Sequence, residues 1–405
     1  MKVVVSHSGK QHSYHVAKAL KDLGALQKFF TSSYVTSKRL QQVALAKNNT
    51  YFSRRFLTGL DGQYVDANWR FEIPEIIFRK ILGKSVYIED LVYNRDVKFD
   101  QYISKKLPSL DADVFWGFQG SCLHSLELAK ISGKKTICEL STAHVTAAQK
   151  ILGEERKLHP EWSDSIDNLQ FPKEYEARLR SEPHGADIVI GASQFTVNSL
   201  LDDGIDIRKI KYLPLGFEID HIPYLPHSKA YTKDRPLRLL YAGKITQRKG
   251  IKYLLEAVKA YSKDVELHLI GGVQGSGNAL KNYKGLFVHH PPVSQHELFK
   301  LYQNFDVFVL PTLFEGFGLV ILEAMAAGLP VITTANSIGP ELIDHGKNGY
   351  IIPIRDVRAI QTALDHVLGL SEEALLQMKV EARSSAEKMD WCNYKKNLKL
   401  MMDTI

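Results

Sequence analysis

With 405 residues, 44% of them hydrophobic and 24% charged, the sequence has the size of two or three domains and an ordinary globular composition. Three cysteines without paired spacing exclude a disulfide scaffold and a CxxC zinc site, and no apolar run approaches the ~18–20 residues of a transmembrane helix. The net charge of +7 is uneven: residues 26–106 hold 14 Lys/Arg against 8 Asp/Glu, with 14 of the chain's 40 aromatic residues.

The chain opens on Val3, Val4 and Val5, a β-branched run that predicts a strand over residues 2–6 covered on both faces. Its apolar stretch is too short for a signal peptide, so the expected location is the cytoplasm, with reduced thiols. Val16, Ala17, Ala19, Leu20 and Leu23 repeat at helical spacing over residues 12–23, and Gly24 stops the helix. Strand, loop and helix in this order begin a doubly wound unit.

Residues 26–106 read as a basic, aromatic insertion before the next clear strand. Ile76, Ile77, Phe78, Ile81 and Leu82, beside Arg79, Lys80 and Lys84, predict an amphipathic helix. Two readings stay open: a helix packed on its own domain with a solvated basic face, or one lying among anionic lipid headgroups at the inner face of the membrane. The patch is small and matches no nucleic-acid module, so no nucleic-acid partner is expected.

Strands follow at 113–118, 135–140, 187–192 and 209–213, with helices at 121–131 and 172–182 and a third capped by Ser193. Asp111 and Asp113 have the spacing of a metal-binding pair, but Asp113 opens a strand and no second carboxylate cluster accompanies them. Residues 217–236, with Pro223, Pro226 and Pro236, read as a linker. A second cycle starts at Leu237, with strands at 237–243, 265–270, 286–289, 306–310, 330–333 and 350–353. Its helices fall at 251–261, 295–302 and 319–327 and after Asp356 and Ser371. The fold class is α/β: an N-terminal domain over 1–216, a C-terminal domain over 237–388, and a last helix over 389–405. The two doubly wound, Rossmann-like domains face each other across a cleft, where strand ends bind ligands.

The most informative segment is 311–334, PTLFEGFGLVILEAMAAGLPVITT. A strand feeds a loop with Gly316 and Gly318, then a helix whose first amides favour an anion. Glu315 lies in the loop. Glu323, eight positions on, lies about one turn into the helix, where it can accept from vicinal hydroxyls. The loop 242–250, AGKITQRKG, supplies Lys244, Arg248 and Lys249, cations suited to a departing diphosphate. His289 and His290 are neighbours in a strand and point to opposite faces, a poor metal pair.

The 311–334 segment resembles the Glu-x7-Glu motif of retaining glycosyltransferases of the GT-B fold, glycosyltransferase family 4 in particular. The resemblance extends through AMAAGLPVI. It implies that Glu315 and the Gly316, Phe317, Gly318 and Leu319 stretch orient the donor sugar while Glu323 holds the nucleotide ribose. It implies that Lys249 stabilises the diphosphate together with an arginine, a role open between Arg248 and Lys244, where the family Arg often stands. It also places His144 in ELSTAHV against the donor sugar, with Glu139 as the alternative group there. Val293, within 292–294, falls where the family's backbone contacts the base. Gly9 in SHSGKQH partly matches a Gly-rich loop near the diphosphate, and Lys10, Gln11 and His12 are further groups for donor or acceptor. PLGFE at 214–218 is similar to the segment entering the hinge. The implied activity is transfer of a sugar, with retention, from a nucleotide-sugar to an acceptor hydroxyl of a glycan or lipid-linked molecule. It uses no metal and no cofactor. The alternatives are a sugar-nucleotide epimerase or a phosphorylase on the same fold, or a non-catalytic partner subunit.

Overall fold

A computed structural model describes residues 1–10, 12–46, 50–82, 87–166, 171–225, 232–261 and 263–405. Gln11, Lys84 and Pro226, and the side chains of Arg79, Lys80, Ile81 and Leu82, lie outside the described residues. The described chain forms two parallel sheets. The first orders its strands β3-β2-β1-β4-β5-β6-β7 and the second β10-β9-β8-β11-β12-β13.

The first sheet comprises β1 (Val3–His7), β2 (Leu26–Thr31), β3 (Val65–Ala67), β4 (Val114–Phe118), β5 (Lys135–Leu140), β6 (Ile188–Gly191) and β7 (Ile210–Tyr212). The valine run of β1 is buried on both faces. Val3 and Val5 pack with Tyr14, Leu20 and Trp116 on one side, and Val4 packs with Phe99, Phe115 and Leu126 on the other. Its helices are α1 (Ser13–Asp22), α2 (Lys38–Ala46), α3 (Thr50–Ser53), α4 (Ile73–Leu82), α5 (Tyr87–Ser104), α6 (Leu123–Ile131), α7 (Val145–Leu158), α8 (Lys173–Gly185) and α9 (Gln194–Asp202).

Residues 26–106 are more than an insertion, because β2 pairs with β1 and β3 with β2. Two features hid them. Half-buried Gln27 and Lys28 interrupt the apolar run of β2, and β3 is three residues long. The helix α7 was likewise unanticipated, although Val145, Ala148, Leu152 and Glu155 form a buried stripe at helical spacing.

The second sheet comprises β8 (Leu237–Ala242), β9 (Val265–Ile270), β10 (Val288–His290), β11 (Val307–Leu310), β12 (Val331–Thr334) and β13 (Gly349–Ile352). With it go α10 (Ile251–Val258), α11 (Gln295–Leu301), α12 (Leu319–Ala326), α13 (Gly339–Leu342), α14 (Val357–Gly369), α15 (Glu372–Glu387) and α16 (Trp391–Met402). The last helix leaves this domain: Tyr394, Leu398, Met401 and Met402 share a core with Val3, Tyr14 and Ile190. The crossing is a close one. Phe217 bridges to Asp390, and a Cβ on Gly216 would collide with the Trp391 ring.

Strand order reverses between β1 and β4 in one sheet and between β8 and β11 in the other. At such a reversal the loops leaving adjacent strands diverge and open a crevice, the usual ligand position in a doubly wound sheet. Among the described residues no helix is long and apolar enough to cross a membrane.

Candidate active site

The crevice of the second sheet lies between the loops that follow β8 and β11. After β8 the chain turns through Thr246, which caps the short turn Gln247–Lys249. Gly250 ends the turn at φ 72°, and a Cβ there would collide with the Pro311 carbonyl. Glycine is therefore what lets the β8 loop lie against the β11 loop. Leu313 N donates to Arg248 O at 2.9 Å across this contact.

That approach assembles a charged cluster. Lys249 Nζ donates to Glu315 Oε1 at 2.5 Å, and Arg248 Nη1 stands 3.3 Å from the same oxygen. Arg248 Nη1 also donates to Phe314 O at 2.8 Å. Burial works to raise the Glu315 carboxyl, but the Lys249 ammonium and Arg248 guanidinium outweigh it and hold its pKa below the ordinary carboxylate value. Two cations thus share one carboxylate. An entering diphosphate offers both cations stronger anionic partners without moving them. Lys244 is exposed and contributes only its backbone carbonyl, to Tyr241 Oη at 2.6 Å. Of the two positions open for the arginine role, the geometry brings Arg248 to Lys249 and leaves Lys244 outside.

Gly318, at φ 88°, starts α12. The first-turn amides of an α-helix have no intrahelical acceptor, so Leu319 and Val320 present N–H groups at the start of α12, while Ile321 N donates to Gly318 O at 2.8 Å. Phe317 is buried and its carbonyl accepts from Ile338 N at 2.8 Å. Gly316 faces the other domain. Its carbonyl accepts from Ser193 Oγ at 2.6 Å, and a Cβ on it would collide with Ser141 and Thr142.

Glu323, inside α12, is 5% exposed. Burial raises its pKa, partly offset by Gln295 Nε2, which donates to Oε1 at 2.9 Å, and by Tyr302 Oη, which donates to Oε2 at 3.2 Å. Each oxygen keeps a second lone-pair direction for a ligand hydroxyl. Gln295 and Tyr302 are absent from the sequence reading. A signal existed for the first: Ser294 and Glu297 form a capping box that sets Gln295 at the start of α11. Val293 is half-buried just before that cap.

On the N-terminal side the structure gives the surroundings of the remaining candidates. His144 is fully buried, and its ring faces Asp203, with Nδ1 3.4 Å from Oδ1. Burial lowers its pKa, with Asp203 acting the other way. It stands immediately before α7, without a side-chain hydrogen bond to the helix. Within the same segment, Ser141 and Thr142 lie against Gly316 of the β11 loop. Glu139 is also fully buried, accepting from Trp116 Nε1 at 2.8 Å and lying 2.5 Å from His12 Nε2. Gly9 has room for a side chain, its nearest neighbour being His7 Nε2 at 3.4 Å. The β1 loop is therefore not a tight glycine turn. Nor is the β4 turn open to an anion: Glu182 and Asp100 already accept the amides of Cys122, Leu123, His124 and Ser125.

Asp111 and Asp113 sit at the opposite end of the sheet, where Lys2 Nζ donates to Asp111 and Lys2 N to Asp113. His289 contacts Gly271 O at 2.8 Å, whereas His290 meets His268 at 2.9 Å, in different directions.

Residues 236–369 match the family described as Glycosyl transferases group 1. Relatives include the amylovoran biosynthesis glycosyltransferase AmsK of Erwinia amylovora, 24% identical over 68% of this chain and 66% of its own. The D-inositol 3-phosphate glycosyltransferase of Xylanimonas cellulosilytica is 26% identical over 51% of this chain and 56% of its own. The chain spans about half the length of several curated relatives that it matches. Among solved structures, sucrose-phosphate synthase from Thermosynechococcus elongatus superposes with a TM-score of 0.68 at 16% identity, covering 100% of this chain and 98% of that one. Anabaena HepE in complex with UDP and glucose superposes with a TM-score of 0.62 at 13% identity, over 100% of both chains.

Proposed function

We propose that this chain, which has the GT-B fold and matches the glycosyl transferases group 1 family over residues 236–369, is a retaining glycosyltransferase using a nucleotide-sugar donor. The observation that carries this reading is the Lys249–Glu315–Arg248 cluster in the crevice, with Glu323 eight positions further along the same loop and helix.

In this reading the nucleotide lies on the C-terminal domain. Glu323 accepts from the ribose hydroxyls, held in place by Gln295 and Tyr302. Lys249 and Arg248 take the diphosphate and stabilise the charge that grows as the glycosidic bond breaks. Glu315 keeps both cations in position until the donor arrives and then faces the sugar, beside the Gly316–Leu319 backbone. An acceptor hydroxyl attacks the anomeric carbon from the leaving-group side. Its proton passes to the departing phosphate, so no separate base, metal or cofactor is called for. The UDP and glucose named for HepE support a nucleotide-sugar donor. The amylovoran biosynthesis named for AmsK supports a glycan acceptor.

The acceptor side is proposed to meet anionic, membrane-borne material at the inner face of the membrane. Among the described cations of residues 26–106, Lys38, Arg55, Arg95 and Lys106 have carboxylate partners: Asp61, Glu72, Glu75 and Asp66. Arg70, Lys98 and Lys105 do not, among the described residues, and they line one cavity of about 500 Å³. Close by in sequence, Ile73, Ile77 and Phe78 of α4 are exposed at 46%, 49% and 38%. Vesicles containing phosphatidylglycerol should co-sediment the protein, and vesicles of phosphatidylcholine alone should not. Equal binding to both, or to neither, removes this part of the reading.

Donor cleavage followed by NMR tests the activity itself. Wild-type protein should release the sugar with its anomeric configuration retained, and Lys249→Ala should not. A wild-type protein that binds a donor yet never cleaves it fits the non-catalytic subunit instead.

A further inference from the structure

Glu155 lies on the buried face of α7 and is fully shielded from solvent. Three donors converge on its carboxylate. Gln247 Nε2 reaches Oε1 at 2.6 Å, Tyr253 Oη reaches the same oxygen at 2.8 Å, and Arg355 Nε reaches Oε2 at 2.7 Å. Glu155 belongs to the N-terminal sheet's connections, whereas all three donors belong to the second domain. A buried carboxylate is tolerated only when its charge is matched and its lone pairs are filled, and here the other domain does both.

The donors are not equivalent. Arg355 is the only non-glycine residue at positive φ, 63°, among the described residues. It also donates to Ile151 O at 2.7 Å and to Glu154 at 3.1 Å. A non-glycine residue keeps that conformation only where its surroundings enforce it, and here the surroundings are α7. Gln247 directly precedes Arg248 and Lys249. Its amide N donates to Ser165 Oγ at 3.1 Å, its Oε1 accepts from Lys252 N at 2.9 Å, and its Nε2 is the group on Glu155. Thr246, one residue earlier, donates to Ser165 O. The turn carrying the two cations is therefore held by α7 and the segment after it, from across the domain boundary.

We infer that Glu155 is a positioning residue. Through Gln247 it fixes the Arg248–Lys249 turn in its diphosphate-binding geometry, and it does so only while α7 is docked on the second domain. The inference rests on the donor-site reading above and adds a residue from the opposite domain to it. Donor affinity is then coupled to domain contact, because the same carboxylate serves both.

Calorimetric titration with UDP, GDP and ADP, together with kcat and donor KM, tests this on the full chain. Glu155→Gln keeps the shape of the side chain and removes the charge. It should weaken binding of whichever nucleotide the wild type takes by about tenfold or more, and lower kcat, with a cooperative thermal transition retained. Gln247→Ala, which leaves the Glu155–Arg355 pair in place, should weaken binding similarly, and the double variant should be little worse than either single one. A Glu155→Gln protein with a lowered melting temperature but unchanged Kd, kcat and KM overturns the inference and leaves the donor site standing. So does full additivity in the double variant. A wild-type protein that binds none of the three nucleotides overturns the donor-site reading and this inference with it.

Discussion

Lys249 of the β8 loop and Glu323 of α12 are proposed to make two kinds of interaction with the donor. In the proposed mechanism Lys249 meets charge that is largest in the transition state, so Lys249→Ala should cut kcat by on the order of 10²-fold or more while the fold persists. Steady-state turnover with the donor checks this, and wild-type turnover contradicts it. Glu323, in the same proposal, binds a part of the donor that does not change during reaction. Glu323→Ala should therefore raise donor KM by roughly tenfold, about 1.4 kcal/mol, with little change in kcat. A fall in kcat alone would reassign it to the chemical step. These residues were legible in the sequence because 311–334 and 242–250 are continuous in the chain, so spacing alone sets the local geometry. His144 was not. It is surrounded by Ser199, in the last turn of another helix, α9, and Asp203 just after it, and nothing in ELSTAHV reports that packing. Gln295 and Tyr302 reach Glu323 from α11 and the turn after it, again a tertiary relation.

The elements place these residues through two loop contacts. Gly250 is where the β8 loop and the β11 loop touch. Gly250→Ala combines an αL position with a backbone collision, and should cost about 2–4 kcal/mol while separating Lys249 from Glu315. Chemical denaturation and donor titration on the same sample check both effects, and an unchanged Cm contradicts the account of the contact. At this scale the strands most legible in the sequence are the central ones of the second sheet, which are apolar and buried and lead into a helix. Val331–Thr334 and Val307–Leu310 are buried along their length. The sequence was read worst where a strand one in from the sheet edge admits polar residues. Lys28 in β2 has a half-exposed neighbourhood and donates to Gln63 O, so the strand carries no alternating or continuous apolar signature.

The whole molecule is closed by α16, which returns to the first domain and lays Trp391 flat on His15, centroids 4.0 Å apart and planes 6° from parallel. Burial, with His12, Lys18 and Lys10 adding to it, pushes the His15 pKa down to about 4. The unfolded chain, near 6.5, therefore binds more protons than the folded one between those values. Stability present above pH 6.5 is lost as pH falls toward 4, about 2 kcal/mol between pH 7 and pH 5. Urea midpoints of the wild type should show this loss, and His15→Asn should remove most of it. An equal loss in the variant assigns the acid sensitivity elsewhere.

The central claim is that the crevice beside α12 holds a nucleotide-sugar. A thermal-shift comparison of UDP-, GDP- and ADP-sugars tests it most directly, since a ligand that binds only the folded state raises the melting temperature by mass action. One donor class should stabilise the wild type, and Lys249→Ala and Glu323→Ala should lose most of that stabilisation. No shift with any donor, or equal shifts in all three proteins, would contradict it.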